Sequence, residues 1–415
     1  MSAIIIEGGR RLNGELEIQG SKNAVLPIMA ASLLIQGVTV IYGCPVIDDV
    51  LCMKKLLEEL GCEVTFEKHK MTICAEHIDS VELKETSVKK VRASVLFLGS
   101  LLGRKREARV NYPGGCSIGK RPIDYHLEAF RKMGVKVTEE DEQVSCKARR
   151  IKGQKIALEF PSVGATENII LAACLADGVT WITGAAREPE IVELCQFLRL
   201  AGAVIEGEGT DHIFIRGVKK LRNTEFTVCH DRIVLSTLGL LVAGTGGNVL
   251  LKTGEKKVPG DIQILSRTGC ICKAMEGRVL IRQNRKPKAI YYIKTRPYPG
   301  FPTDVQSPLM AVMTKAEGDT IIDESIFENR MQTADELNKL GADITVVGNR
   351  AFIRGVKSLE GTSVRATDLR GGMALVIAGL MAEGKTKIEN EEVILRGYEN
   401  LPESLSGIGA KIYYE

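Results

Sequence analysis

Apolar positions along the chain follow two alternating rhythms. In the first, an amphipathic helical run ends at Leu-Gly or its equivalent and gives way to alternation typical of a strand. The segments are LLEELGCEVTFEKHKMTICA, FRKMGVKVTEEDEQ, FLRLAGAVIEGEGTDHIFIRG, ILSRTGCICKAMEGRVLIRQ, ELNKLGADITVVGNRAFIRGV and LSGIGAKIYYE. Their marking glycines, Gly61, Gly134, Gly202, Gly269, Gly341 and Gly409, recur about every 70 residues, right for a compact α/β unit. Each follows a periodic helix, as a left-handed C-terminal cap would. In the second rhythm a helix that is apolar nearly all round precedes a glycine and a strand rich in Val, Ile and Thr. NAVLPIMAASLLIQGVTVIYG, TENIILAACLADGVTWITGA and GGMALVIAGLMAEGKTKIEN are examples. Such helices are expected to be buried on every side. One buried and one amphipathic helix over a small sheet, repeated six times, predicts two lobes of three units each, with the buried helices packed together inside each lobe. The charged punctuation near mid-chain, HDRI and Lys256–Lys257, favours two lobes over a continuous solenoid.

Composition narrows the class. Over 415 residues, 44% are hydrophobic and 26% charged, as in a soluble globular protein. No apolar run approaches the roughly 20 residues of a membrane helix. The opening MSAIIIEGGRRLNG lacks the pattern of a secretory signal, so a cytoplasmic location is expected. Eleven cysteines, an odd number, fit a reducing compartment. Most lie in apolar contexts as small core residues, and the Cys270/Cys272 pair has no second pair at zinc-site spacing. A net charge of +4 and 5% aromatics argue against a nucleic-acid partner.

The chemistry centres on PGGCSIGKRPIDYH, Pro113 to His126. Glycines let this backbone bend and approach a ligand closely. Lys120 and Arg121 beside Cys116 favour the thiolate. The segment reads either as a lid carrying a reactive thiol or as a glycine-rich turn with an inert one. Gly20-Ser21-Lys22-Asn23 joins the first strands to a buried helix; Ser21 is a candidate cap, and Lys22 either an anion contact or a surface lysine. Arg92, at the start of an apolar helix, requires an anion, whether ligand or partner carboxylate. Ser162, Gly164 and Thr166 open another buried helix, as an anion cradle or as an ordinary cap. Asp304 in PGFPTDVQ reads as a helix cap or as a general base. Glu328-Asn329-Arg330, Asp368-Leu369-Arg370 and Leu395-Arg396 supply arginines at strand-to-helix turns. With Lys22, Arg92 and Arg121 they make six cations suited to a highly anionic substrate.

GSKNAVLP, VRAS, PGGCSIGKRPID, PSVGATENI, AAREPEI, PGFPTD, IFENR, ATDLR and RGYE together resemble, in order and spacing, the UDP-N-acetylglucosamine 1-carboxyvinyltransferase family of the EPSP synthase-like superfamily. The resemblance covers essentially the whole chain. It implies a two-lobed inside-out α/β barrel of six βαβαββ units. Residues 21–229 would form the N-terminal lobe, and residues 1–20 with 230–415 the C-terminal lobe. It also implies transfer of the enolpyruvyl group of phosphoenolpyruvate to the 3-hydroxyl of UDP-N-acetylglucosamine, with release of phosphate, in peptidoglycan synthesis. Neither metal nor cofactor is implied.

Carried over by position, the resemblance makes Cys116, Asp304 and Lys22 catalytic. Cys116 is the loop thiol and fosfomycin target, and Asp304 the base. Lys22, Arg92, Arg121 and Arg396 bind phosphoenolpyruvate, while Asn23 and Asp304 contact the sugar. Arg121, Pro122, Ile123, Asp124, Ser162, Val163 and Gly164 form the nucleotide pocket. Glu328, Arg330, Asp368 and Arg370 complete the substrate-binding set. Val234-Leu235-Ser236 after Asp231, Lys120, Tyr112, Tyr125 and Gly371-Gly372 depart from the usual pattern. They keep open a divergent paralogue with an altered acceptor, or with a binding or regulatory role only.

Overall fold

The computed structural model describes residues 3–83, 88–112, 118–119, 121–140, 142–254 and 262–415. Cys116, Lys120, Lys256 and Lys257 therefore lie outside the described residues. The chain separates into two units. One contains residues up to Gln19, Ile118 with Gly119, and His230 to Glu415; the other runs from Gly20 to Cys229 apart from the central segment.

Each repeat follows one plan, best seen between Tyr292 and Arg354. Strand Tyr292–Lys294 leads through helix Gln306–Met313 to strand Asp319–Asp323, which it pairs in parallel, Tyr292 opposite Ile321. Helix Thr333–Lys339 then delivers the hairpin Asp343–Val347 and Arg350–Arg354, whose second strand pairs antiparallel with Asp319–Asp323, Ile322 opposite Ala351. The result is a βαβαββ unit. The described residues form five four-stranded sheets and one three-stranded sheet, three in each unit. In the three-stranded case the missing strand shrinks to a single parallel bridge, Glu82 to Arg109. None of these sheets closes into a barrel.

All six marking glycines have positive φ, between +86° and +103°, as the alternation of helix and strand predicts. The first strands complete sheets built from distant sequence. Ala3–Glu7 lies between Lys385–Glu389 and Lys411–Tyr414, and Leu12–Glu17 runs parallel to Gly247–Lys252. In the other unit, Thr224–Thr227 pairs with Val38–Tyr42.

The apolar helices occupy the interior, as expected. In the C-terminal unit, Arg232–Thr245, Gln306–Met313 and Leu369–Met381 pack against one another and are buried almost throughout. In the other unit, Lys22–Ala31, Phe97–Lys105 and Val163–Ala173 take these places. Gly99 allows the last two to touch backbone to backbone: a Cβ there would meet the Asn168 carbonyl oxygen at 2.5 Å. The repetition extends to an imperfection. Thr39, Thr180, Thr320 and Thr386 each occupy the second position of the strand after a buried helix, and each has a buried hydroxyl without a hydrogen-bond partner.

Candidate active site

In the C-terminal unit two of the predicted arginines, Arg330 and Arg370, gather on one carboxylate. Asp304 lies in a short 3-10 turn, Thr303–Val305, ahead of the buried helix Gln306–Met313. The expectation that it caps this helix is not met, because its side chain turns to arginines instead. Oδ1 accepts from Arg330 Nη1 at 3.0 Å and Oδ2 from Arg370 Nη2 at 2.9 Å. Both arginine side chains are nearly inaccessible (4% and 3%), whereas Asp304 keeps 26% of its surface open. Burial opposes the charge on Arg370, but Asp304, Tyr398 and Asp231 more than offset it, and its pKa is raised.

Residues for which the sequence suggested no orienting role hold this cluster. Glu324 is buried and accepts from the Thr295 and Thr303 hydroxyls at 2.8 Å each. Arg330 Nη1 also donates to Thr303 Oγ1 at 2.8 Å, so one glutamate sets the position of the arginine through a threonine. Arg370 Nη1 donates to Tyr398 Oη, which in turn donates to Thr237 Oγ1, both at 3.2 Å. Asp368 caps the helix that carries Arg370, accepting from the Arg370 and Gly371 N–H groups. Asp231 caps Arg232–Thr245 in the same way, so the Val234-Leu235-Ser236 departure falls inside a buried helix. Arg396 follows the short helix Glu392–Leu395 and is half-buried. Glu328 is exposed beside Gly119: a Cβ on this glycine would meet its Oε2 at 2.1 Å. The neighbouring Asn329 N–H donates to the Ile118 carbonyl at 3.0 Å. The described remnant of the thiol loop thus contacts the Glu328–Asn329 turn.

In the other unit, Lys22 opens the first buried helix and pairs with the buried Asp49 at 3.0 Å. Ser21 makes no side-chain cap there, contrary to expectation; its N–H donates to the Cys229 carbonyl instead. Asn23 is half-buried on the same turn. Arg92 lies in the 3-10 turn Arg92–Leu96, and its guanidinium donates to the backbone carbonyl of Arg121. That contact brings two predicted cations together. Arg121 has a φ of +47°, followed by exposed Pro122, buried Ile123 and exposed Asp124 at the head of helix Asp124–Lys132.

Ser162 caps Val163–Ala173 by accepting from the Ala165 N–H at 3.4 Å, so it fulfils the capping reading. Val163 and Gly164 are half-buried on that first turn, where a Cβ on Gly164 would touch the His126 ring at 3.2 Å. His126 was unassigned from sequence. Asn168 fixes its tautomer. Asn168 Oδ1 accepts from the Gly99 N–H, so its amide nitrogen faces His126 Nδ1 at 2.7 Å and must donate. Burial first, then Arg92 and Arg121, lowers the pKa of His126 to about 3. A neutral imidazole thus underlies the Arg92–Arg121 pair.

The described cysteines behave as core residues. Burial pushes Cys44, Cys62, Cys146, Cys174 and Cys270 up to about 12. Among the described residues no acid, histidine or cysteine cluster could hold a metal, and no helix is long and apolar enough to cross a membrane.

Comparison with known proteins shows the family. The profile of EPSP synthase (3-phosphoshikimate 1-carboxyvinyltransferase) matches residues 6–405. UDP-N-acetylglucosamine 1-carboxyvinyltransferase 2 of Caldanaerobacter subterraneus subsp. tengcongensis is 46% identical over 99% of both chains. The chain belongs to this family of carboxyvinyltransferases. UDP-N-acetylglucosamine 1-carboxyvinyltransferase of Thermotoga maritima is 42% identical over 100% of this chain and 99% of its own. The fold recurs in the enolpyruvyl transferase NikO from Streptomyces tendae, with a TM-score of 0.90 at 24% identity over 100% of this chain and 98% of that one. It recurs also in an EPSP synthase from Acinetobacter baumannii, with a TM-score of 0.76 at 21% identity over 100% and 99% of the two chains. This family membership agrees with the motifs that suggested it.

Proposed function

We propose that the protein transfers the enolpyruvyl group of phosphoenolpyruvate to the 3-hydroxyl of UDP-N-acetylglucosamine and releases phosphate. This is the first committed step of peptidoglycan synthesis, in the cytoplasm, and it serves cell shape and division. The observation that carries the reading is the Asp304 carboxylate, held on both oxygens by buried arginines yet open on one side.

The chemistry divides among the chain's own groups. Lys22, Arg92, Arg121 and Arg396 bind the phosphate and carboxylate of phosphoenolpyruvate, and Asn23 with the Arg121–Asp124 and Ser162–Gly164 segments holds the nucleotide sugar. The sugar hydroxyl adds to carbon 2 while carbon 3 takes a proton from the Cys116 loop. Asp304 accepts the hydroxyl proton. The transfer comes as the forming C–O bond acidifies the hydroxyl. The tetrahedral intermediate carries carboxylate and phosphate together, and fixed cations stabilise it. Loss of a proton from carbon 3 and departure of phosphate restore the double bond. Cys116 is also the residue that fosfomycin would alkylate.

Phosphate release from phosphoenolpyruvate in the presence of UDP-N-acetylglucosamine tests this. Folded protein that binds the nucleotide sugar without releasing phosphate would instead support the binding or regulatory paralogue. Release with a different acceptor only would support altered specificity.

A further inference from the structure

The catalytic cluster lies at the N-terminal ends of the three buried helices of the C-terminal unit, through Asp231, Asp304 and Asp368. Their C-terminal ends meet a separate cavity of about 230 Å³. It is lined by Arg11, Gly244 to Gly246, Asn284 to Pro287, Lys315 and Lys357. Five of these residues are cationic and none is acidic. Among the described residues, Arg11, Arg285, Lys286, Lys315 and Lys357 form no ion pair within 4.0 Å.

Cations near helix C-termini have an ordinary explanation, since each helix end carries about half a negative charge. Lys315 does serve this purpose: its Nζ donates to the Met381 carbonyl at 2.9 Å, at the end of Leu369–Met381. The magnitudes show that this is not enough. Three helix ends supply about −1.5 charges against five full positive charges. Lys315 registers the excess. Burial lowers its pKa and the nearby Lys286 lowers it further, while Glu383 only partly opposes them. A cavity of this size is below the ~300–1,000 Å³ typical of drug-sized ligands, so its occupant is compact. Arg11 and Arg285 can engage oxyanions in bidentate fashion, and the lysines act as point charges.

We infer that this cavity is a second anion site, for a compact condensed phosphate: pyrophosphate, or the linked phosphates of a nucleotide whose remainder stays in solvent. It belongs to the C-terminal unit alone and shares no residue with the catalytic cluster.

Calorimetric titration of the full chain tests it, with pyrophosphate, ATP and orthophosphate as probes at low salt. Pyrophosphate is expected to bind with a salt-sensitive affinity at least ten times that of orthophosphate. The triple variant R285Q/K286Q/K357Q should lose at least tenfold, whereas Lys22→Ala should not change it. ATP binding as tightly as pyrophosphate places the nucleoside in solvent and supports the site. The triple variant's unliganded melting temperature and phosphate-release rate serve as folding controls. No pyrophosphate binding to the wild type, equal binding to the triple variant, or orthophosphate binding as tightly as pyrophosphate overturns the inference. Should the triple variant misfold, single variants at Arg285 and Lys357, both exposed, replace it.

Discussion

Arg370 Nη2 lies 2.9 Å from Asp304 Oδ2, and the arginine is almost wholly buried while the aspartate is not. The pair makes an open carboxylate depend on closed cations. Asp304→Ala leaves both Arg370 and Arg330 without their shared anion, and is expected to destabilise the protein by about 2 kcal/mol. That is below the usual cost of breaking a fully buried pair because Asp304 is partly solvated. Turnover should fall by about 10²–10⁴ with little loss of nucleotide-sugar binding. Urea unfolding and steady-state kinetics measure both; a parallel loss of binding and turnover would reduce Asp304 to a structural role.

His126 makes stability depend on acidity. Its pKa falls from 6.5 to about 3 on folding, so below about pH 6.5 the unfolded chain takes up a proton that the folded one refuses. The stability it contributes is present above that value and is lost as pH drops towards 3. Between pH 7.5 and 5 the loss is about 2 kcal/mol. His126→Gln should flatten the pH dependence of urea unfolding over this range. An unchanged slope would contradict the buried neutral imidazole.

Glu167 acts with the opposite sign. Burial, then Glu190 and Glu188, raises its pKa well above 4.5. Its stabilising contribution is therefore full below about 4.5 and is lost as pH rises through the folded value. Glu167→Gln should gain stability relative to wild type by about 1.4 kcal/mol per pH unit while the native acid stays protonated. Equal wild-type and variant profiles between pH 5 and 7 would refute this.

The thiol assignment has a chemical test. Intact wild-type protein treated with fosfomycin should gain the mass of one adduct, and Cys116→Ala should gain none. Cys116→Asp should keep partial turnover, since a carboxylic acid can still donate a proton. An adduct persisting on Cys116→Ala would move the reactive thiol elsewhere.

Local pattern made the fold legible. Glycine after a periodic helix, then alternation, marks each repeat, and all six glycines adopt the left-handed backbone that the pattern demands. The site was legible only as a set of residue types. Asp304 and Arg370 are 66 positions apart and Thr237 and Tyr398 are 161, so no local rhythm links them. Family motifs contained the arginines, Thr303 and Tyr398 but gave the last two no role, and they missed Glu324 altogether; these three residues orient the arginines. Ser21 and Asp304 looked like helix caps because small polar residues precede buried helices. The backbone of Ser21 and the charge of Asp304 were claimed by other partners. Ser162, with no arginine on its hydroxyl, caps as its sequence suggests.

Thr39, Thr180, Thr320 and Thr386 carry one further consequence. They are one experiment performed four times by the same chain, on four sheets that do not share a neighbour. A buried hydroxyl without a partner costs about 1–3 kcal/mol by protein measurements, and valine has nearly the same shape without it. Valine at any one of the four should therefore stabilise, and distant replacements should add. The repeated unit thus carries the same energetic flaw at four equivalent positions, and removing it offers four independent routes to a more heat-resistant protein that leave the arginines around Asp304 untouched.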